Sequence, residues 1–364
     1  ENSCRFVSNI GLMGARELIF FSLFIVFILT ILILDLGILN KKSHAIKLRE
    51  AVVWSVLWIS LAIGFFFLIR TNGNLIHGIS NNMRLQEIVS KYDHPVTINP
   101  KVEFSENLAL YKSNLSLEYI TGYLIEYALS VDNVFVMLLI FISFGVQEKY
   151  YHRILFWGIL GAIIMRFIFI FLSSAIIQRF ESVLYIFGAF LIFTGIKMFI
   201  ARKKENKIDT QKHPVVRFAA KYFPVFPRPV LNRFFIIKNK KMMFTPLFIV
   251  LLVIEFSDVV FAVDSVPAIF SVTKDPFIVF FSNVFAILGL RSLFFLVMNM
   301  FKYFYYLKDG LSILLAFIGV KMILALEPFD FKININISLL IVLGILCASI
   351  LFSVLLPPKK AKHI

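Results

Sequence analysis

Two short polar stretches interrupt the apolar runs of this chain. The first is Glu126-Tyr127-Ala128-Leu129-Ser130-Val131-Asp132-Asn133, and the second is Asp258-Val259-Val260-Phe261-Ala262-Val263-Asp264-Ser265. In each stretch the second acid lies six positions after the first, and the next residue is a small polar one, Asn133 or Ser265. Carboxylate, amide and hydroxyl oxygens are hard ligands, which suit Mg²⁺, Ca²⁺ or Mn²⁺ better than copper or zinc.

Helical geometry separates these side chains into two faces. At 3.6 residues per turn, Glu126, Ser130 and Asn133 share one face of a helix, while Asp132 lies roughly 120° away from it. The second stretch has the same arrangement. Either the two faces serve different neighbours, or the backbone departs from a regular helix. Pro267 favours a departure in the second stretch, because its ring leaves the carbonyl of Val263 without a hydrogen bond.

Composition places the polar stretches inside a membrane protein. Of 364 residues, 59% are hydrophobic and 16% are charged, whereas soluble domains are about half apolar and a quarter charged. A charge at the centre of a membrane helix costs about 2.5 kcal/mol or more, so buried acids there need partners or a function. We therefore expect an all-α polytopic protein in contact with the lipid bilayer, and treat residues 1–364 as one transmembrane domain.

Nine apolar runs are long enough to predict transmembrane helices of about 20 residues. The polar stretches lie in the third and sixth of these runs. Residues 70–117 and 201–244 form the two long polar segments between runs. The predicted spans are 17–39, 51–68, 119–144, 154–177, 182–200, 245–270, 277–300, 311–326 and 337–356.

The distribution of basic residues predicts the orientation. The loops after spans one, three, five and seven are rich in Lys and Arg, as is the tail after span nine, and basic loops face the cytoplasm. The N-terminus and segment 70–117 are then outside, and the C-terminus and loop 201–244 are cytoplasmic. Cytoplasmic loops therefore account for the net charge of +15, and we do not expect a nucleic-acid partner. We expect segment 70–117 to be a flexible spacer, with a docking surface for an exported metalloprotein as the alternative.

Three sequence matches in the same order predict an internal repeat. Besides the polar stretches, Thr194-Gly195-Ile196-Lys197-Met198 matches Ile318-Gly319-Val320-Lys321-Met322, and Gly161 to Arg166 resembles Leu288 to Arg291. Spans three to five (119–200) would thus repeat as spans six to eight (245–326). Because each unit has three helices, the copies must be inverted, and inverted repeats place substrate sites near the membrane midplane.

Four basic residues inside the spans could balance the acids. Arg166, Arg291, Lys197 and Lys321 lie in spans four, seven, five and eight. Structural ion pairing is our main interpretation of them, with charge compensation in an empty ion site as the functional alternative. For the acids of the polar stretches, a functional role is our main interpretation, because ionisable groups inside a membrane are candidate functional groups. Structural pairing with the four basic residues is the alternative.

The two polar stretches, with their flanking residues, resemble the paired signatures of the TerC family of bacterial membrane proteins. The resemblance extends from span one to span nine, although segment 70–117 is longer than we expect for that family. It implies a relation to the LysE-type exporters and the export of manganese or a related divalent ion from the cytoplasm across the inner (plasma) membrane. Some members are tied to tellurite resistance or to alkaline response. By signature match, the candidate metal ligands are Glu126, Asp132, Asn133, Asp258 and Asp264, with Ser130 and Ser265 as weaker candidates.

Two hypotheses follow from these observations. The first is an exporter of divalent cations, Mn²⁺ before Ca²⁺ or Mg²⁺, in which two inverted repeats share a carboxylate site. The second is a membrane scaffold that transports nothing and aids membrane-protein assembly or stress resistance, with loop 201–244 binding its partners. The sequence offers no nucleophile–base pair, phosphate loop or haem ligands, so we do not expect an enzyme.

Overall fold

The chain is helical almost throughout the part that the structure describes. The structure is a computed structural model, and it describes residues 15–37, 48–179, 183–201, 234–238, 241–300, 306–324, 331 and 333–355. Its helices are α1 (Ala15–Gly37), α2 (Leu48–Asn72), α3 (Asn82–Tyr92), α4 (Phe104–Ser143), α5 (Tyr151–Arg179), α6 (Val183–Ala201), α7 (Pro246–Phe270), α8 (Pro276–Met300), α9 (Leu307–Leu324) and α10 (Ile335–Leu355). Single 3-10 turns occupy Gly73–Leu75 and Glu148–Tyr150.

The all-α membrane fold is confirmed. Seven of the described helices are long and apolar enough to cross a bilayer, and each of the nine predicted spans coincides with a helix. The count of nine stays a prediction, since α6 and α9 are not among the seven. Helices suit these sequences because lipid offers no hydrogen-bonding partner, so the backbone must satisfy its own polar groups.

Helix α8 is the centre of the molecule. The apolar part of α8 is completely buried inside the bundle, whereas about a quarter of the apolar part of α1, α2 or α10 is buried. Helix α8 packs against α2, α4 and α5. The exposed apolar side chains of the outer helices are therefore available to lipid.

The main contacts among α4 to α9 recur when the groups α4–α6 and α7–α9 are exchanged. Helix α4 packs against α8. If α4 corresponds to α7 and α5 to α8, the equivalent contact is that of α7 with α5, which is also present. The pairs α4 with α7, α5 with α8 and α6 with α9 join helices in equivalent positions. Such packing is what the predicted repeat requires, but the repeat itself stays a prediction.

Segment 70–117 is folded, so the expectation of a flexible spacer is wrong. Helix α3 begins after Asn81, whose side chain accepts the backbone N–H of Arg84 at 2.8 Å, and it ends at Asp93 in a left-handed conformation with φ 50°. Helix α4 begins at Phe104, well before the predicted start of span three. Its 40 residues extend about 60 Å, roughly twice the hydrocarbon thickness, so α4 reaches from the membrane into this polar segment.

Only the ends of loop 201–244 lie among the described residues. Residues Phe235–Lys238 (β1) and Lys241–Phe244 (β2) form an antiparallel hairpin directly before α7. Helix α7 continues through Pro267 to Phe270. The predicted departure from helical geometry is therefore limited to the hydrogen bond that Pro267 cannot donate.

Candidate functional site

Helices α4 and α7 pack against each other and carry the two polar stretches into the interior of the bundle. On α4, Glu126, Ser130 and Asn133 are all buried, as expected for one helix face. The hydroxyl of Ser130 donates to Oε1 of Glu126 at 3.4 Å. On α7, Asp258 and Ser265 are buried in the same way. Five of the seven predicted ligand residues thus lie in the protein interior.

The guanidinium of Arg166, from α5, joins the two stretches. It is fully buried. Its Nη1 donates to Oε1 of Glu126 and, at 2.5 Å, to Oδ1 of Asn283, while its Nη2 donates to Oδ1 of Asp258 at 3.3 Å. The side-chain amide of Asn283 donates to the carbonyl of Val279 at 2.8 Å, which turns its oxygen toward Arg166. Four helices therefore converge on one buried cation.

The site has hydrogen-bonding capacity that its described residues do not use. Oε2 of Glu126, Oδ2 of Asp258 and Nε of Arg166 are buried and find no partner among the described residues. The same is true of Nδ2 of Asn133 and Oγ of Ser265. Buried polar groups are normally paired, so unused oxygens beside a carboxylate pair indicate a place for a further polar ligand.

A third carboxylate approaches the same place. Glu255 lies one turn before Asp258 on α7, close enough for the two charges to interact. It packs against the backbone of α5 at Gly161, where a Cβ atom would overlap its carboxylate. A larger residue at position 161 would require the carboxylate of Glu255 to move.

A small cavity with room for about one water molecule lies beside Asp258. Arg291 of α8 and Met137 of α4 line it together with Asp258. The predicted association of Arg291 with the acidic stretches stays a prediction, since the shared cavity shows only that Arg291 and Asp258 border the same space.

The described side chains do not form a ready metal centre. Among them, no three His, Cys, Asp or Glu groups are arranged to hold a metal ion. In this conformation the positive charge between Glu126 and Asp258 is that of Arg166.

Comparison with known proteins identifies the family. The model of the family described as "Integral membrane protein TerC family" matches residues 111–361. This chain belongs to the TerC family.

Related TerC proteins match nearly the whole chain. An uncharacterised membrane protein of Myxococcus xanthus is 40% identical over 341 residues, which are 93% of this chain and 92% of the relative. A protein of Escherichia coli K12 with the provisional name membrane-bound redox modulator Alx is 39% identical, over 89% of this chain and 90% of its own length. An uncharacterised membrane protein of Rickettsia bellii is 34% identical over 90% of this chain. No solved structure matches significantly.

Segment 70–117 has a counterpart in at least one relative of this TerC protein. The match to the relative from Myxococcus xanthus covers 93% of this chain and 92% of the relative, so most of this segment has a counterpart there. The family model begins only at residue 111, and the expectation that the segment is longer than in the family stays a prediction.

The second acids of the TerC signatures remain predictions. The backbone of Asp132 and of Asp264 is helical, but their side chains lie outside the described part of the structure. Their predicted roles as ligands are untested.

The predicted lysines do not join the site. Lys197 is exposed on α6, and its Nζ lies 6.0 Å from the ring centroid of Phe193. Lys321 is buried, but its Nζ donates to Oγ of Ser338 on α10 at 3.0 Å. Neither lysine contacts Glu126 or Asp258 among the described interactions. Periodicity predicted their positions in the spans but could not predict which neighbour each one faces.

A second buried polar group lies at the end of the bundle that carries segment 70–117. We call it the histidine–carboxylate cluster, and it consists of Glu17, His77, His94, Glu118 and Asp275, all buried. His77 lies between two acids, with Nδ1 3.3 Å from Oε1 of Glu17 and Nε2 2.8 Å from Oδ2 of Asp275. Since both ring nitrogens face carboxylates, the imidazole must carry two protons to donate both bonds.

Glu118 is the second centre of this cluster. It accepts bonds from Nδ1 of His94 at 2.9 Å, from Nδ2 of Asn114 at 2.6 Å and from Oγ1 of Thr273 at 2.6 Å. Nε2 of His94 points toward Oδ2 of Asp275 at 3.9 Å. Asp275 also caps α8, because its Oδ1 accepts the backbone N–H of Phe277 at 2.9 Å.

The electrostatics of the cluster favour protonated histidines. Burial alone would lower the pKa of His77, but the charge and hydrogen bond of Asp275, followed by those of Glu17, raise it to about 9. Burial likewise opposes the charge on His94, and Glu118 outweighs it and raises the pKa of His94. Burial would raise the pKa of Asp275, whereas His77 and then His94 hold it below its usual value.

Sequence analysis missed this cluster and Asn283. The first and last residues of the cluster, Glu17 and Asp275, are 258 residues apart in the chain, and no motif joins the five residues. Asn283 had a detectable signal, since an amide within an apolar span is uncommon, but nothing in the sequence paired it with Arg166.

Proposed function

We propose that this TerC protein exports a divalent cation from the cytoplasm, with Mn²⁺ as the first candidate cargo and Ca²⁺ or Mg²⁺ as alternatives. The observation that carries the proposal is the meeting of Glu126 and Asp258, from two packed membrane helices, at one buried guanidinium. Buried charges inside a membrane bundle usually mark ion pathways or proton relays.

The donor set supports a hard divalent ion as cargo. Glu126 and Asp258 each retain one unpaired oxygen, and Ser265 adds an unpaired hydroxyl among the described residues. The amide of Asn133 can supply a further oxygen if its orientation reverses. These ligands suit Mg²⁺, Ca²⁺ and Mn²⁺, and the choice among these ions depends on cavity size and ligand geometry.

Arg166 has a defined role in this proposal. It neutralises Glu126 and Asp258 while no cargo is bound, so the carboxylates are never buried without a counter-charge. A divalent ion entering between them would compete with Arg166 for the same oxygens. Displacement of the guanidinium toward Asn283, which already accepts from it, would open the pair to the cargo.

We further propose that the protein resides in the inner membrane of a bacterium, with the N-terminus outside and the C-terminus in the cytoplasm. The basic loops support this orientation through the positive-inside rule. An exported metalloprotein that receives the ion outside is a proposed partner, and segment 70–117 would be the surface available to it.

Ion flux tests the proposal. Native protein in proteoliposomes should move Mn²⁺, followed with a manganese-sensitive dye, and Glu126→Gln or Asp258→Asn should lower the initial rate at least about 100-fold, because either change removes half of the paired charge at the site. Asp132→Asn and Asp264→Asn test the remaining signature acids.

Glu106→Gln is the matched control. It removes a carboxylate from the same helix as Glu126, but this side chain is exposed in the polar segment. Its flux should equal that of the native protein. Unchanged flux in both site variants would contradict the carboxylate site. Folded native protein that moves no divalent ion would favour the scaffold, for which trimming loop 201–244 is the next experiment.

A further inference from the structure

The histidine–carboxylate cluster connects parts of the chain that a transporter must be able to separate. Glu17 lies near the start of α1, Glu118 lies in α4, and Asp275 lies in the connection between α7 and α8. His77 and His94 come from the polar segment and bridge these three acids. The start of α1, the interior of α4 and the start of α8 are thereby joined at one end of the bundle.

The cluster lies in line with the ion site along α4. Glu118 and Glu126 are eight residues apart, a rise of about 12 Å along the helix axis. Thr121 lies between them, is fully buried, and finds no partner for its hydroxyl among the described residues. Any path from the Arg166 site to this end of the bundle must pass the level of Glu118.

We propose that the histidine–carboxylate cluster is the extracytoplasmic gate of the transporter, closed in this structure and opened when its histidine bridges are broken. This inference rests on the proposed transport function, because a gate has meaning only for a path that ions follow.

Charge balance explains why the histidines hold the gate closed. Two imidazolium groups, together with Arg84, which donates to Glu17 at 3.1 Å, balance the charges of the three acids. Without the imidazolium charges, three buried carboxylates would face one another with one half-buried arginine, and unpaired buried charges are strongly destabilising.

Two lysines on neighbouring elements add charge near the cluster. The charge of Lys321 on α9 reaches Glu118, and Lys274 forms an exposed pair with Asp93 at 3.0 Å. Aromatic rings pack against the histidines. The ring centroids of Tyr92 and Phe277 each lie 5.3 Å from that of His77, and the centroid of Tyr111 lies 5.4 Å from that of His94. The titratable groups that contact the two histidines are therefore Glu17, Tyr92, Tyr111, Glu118 and Asp275. Arg84, Asn114 and Thr273 contact the acids of the cluster.

Cysteine accessibility tests the gate directly. In a background with Cys4→Ser and Cys347→Ser, Thr121→Cys reports whether water reaches the level between the cluster and the ion site. The protein is placed in lipid nanodiscs at pH 7 and labelled with a charged, water-soluble maleimide. We expect slow labelling with the cluster intact, and labelling about tenfold faster with His77→Gln or His94→Gln.

Two controls separate gate opening from general loosening. Val297→Cys reports a buried position in the other half of α8, and its labelling should not change with His77→Gln. His152→Gln removes a histidine at the opposite end of the bundle and should leave the labelling of Thr121→Cys unchanged. Performing every comparison at one pH avoids the pH dependence of the thiol itself.

The possible results separate this inference from the proposed function. Equal labelling of Thr121→Cys with and without the histidines overturns the gate, as does a parallel rise at Val297→Cys. Manganese flux in proteoliposomes without any labelling response overturns the gate alone. Faster labelling of Thr121→Cys on histidine replacement, together with no divalent-ion flux through the native protein, overturns cation transport and supports only the opening of this end of the bundle.

Discussion

Arg166 is the residue that neutralises the two buried acids of the site. Its guanidinium pairs with acids from both polar stretches, so a buried positive charge lies between the two acids. Removal of one partner of a buried pair typically costs about 3–5 kcal/mol, whereas the intact pair contributes little net stability. In the proposed transport function, a bound cation would replace Arg166 as the partner of the two acids, because a buried carboxylate without a counter-charge is strongly destabilising.

His77 is the residue whose protonation should be visible in stability. Its pKa is raised from 6.5 to about 9, so the folded protein binds this proton more tightly than the unfolded chain. The resulting stabilisation, up to about 3 kcal/mol, is fully present below about pH 6.5 and is lost as the pH rises through about 9.

We therefore predict that the thermal midpoint of the purified protein in detergent falls between pH 6.5 and 9, and that His77→Gln reduces this slope. His152→Gln is the matched control and should retain the native slope. An identical pH dependence in native protein and His77→Gln would show that His77 is not the protonated bridge that its contacts indicate.

Among the elements, the crossing of α6 and α9 depends on glycine. A Cβ atom on Gly319 would lie 2.7 Å from the carbonyl oxygen of Gly188 and 2.9 Å from the backbone nitrogen of Ile192. The obstructing atoms belong to the backbone, so the helices would have to separate. Small residues at such crossings let membrane helices approach closely.

We predict that Gly319→Ala destabilises the protein by about 1–3 kcal/mol, as overpacking of a close contact does. The control is Gly64→Ala in α2, where a Cβ would meet nothing within 4 Å, and its effect should stay within about 0.5 kcal/mol. Thermal unfolding in detergent measures both. Equal midpoints for the two variants would mean that α6 and α9 are less tightly packed than the structure shows.

At the scale of the whole molecule, the orientation in the membrane is the central prediction. The loop between α4 and α5 is basic and should therefore face the cytoplasm. Segment 70–117, at the other end of α4, should then face outside.

Cysteine labelling of intact spheroplasts tests this orientation. Both Glu106 in the polar segment and Lys149 in the loop are exposed. In the background without native cysteines, a membrane-impermeant thiol reagent should label Glu106→Cys, and Lys149→Cys should react only after lysis. The reverse pattern would invert the topology and assign the histidine–carboxylate cluster to the cytoplasmic side.

Composition and periodicity were sufficient to predict much of the fold. Apolar runs predicted the membrane helices, because length and apolarity alone decide which segments lipid accepts. The repeated polar stretches also identified Glu126 and Asp258 as candidate site residues, since a carboxylate within an apolar span needs a partner or a role. Neither result required knowledge of which helices are neighbours.

Only the tertiary structure decided which side chains meet. The sequence offered four buried or membrane-embedded cations for the acids, and packing selected Arg166, placed Arg291 at the cavity that Asp258 also borders and directed Lys321 to Ser338. It also folded segment 70–117, whose histidines bind acids from α1, α4 and the α7–α8 connection. These contacts join residues far apart in the chain, and the rotation and register of packed helices, which no local pattern encodes, determine them.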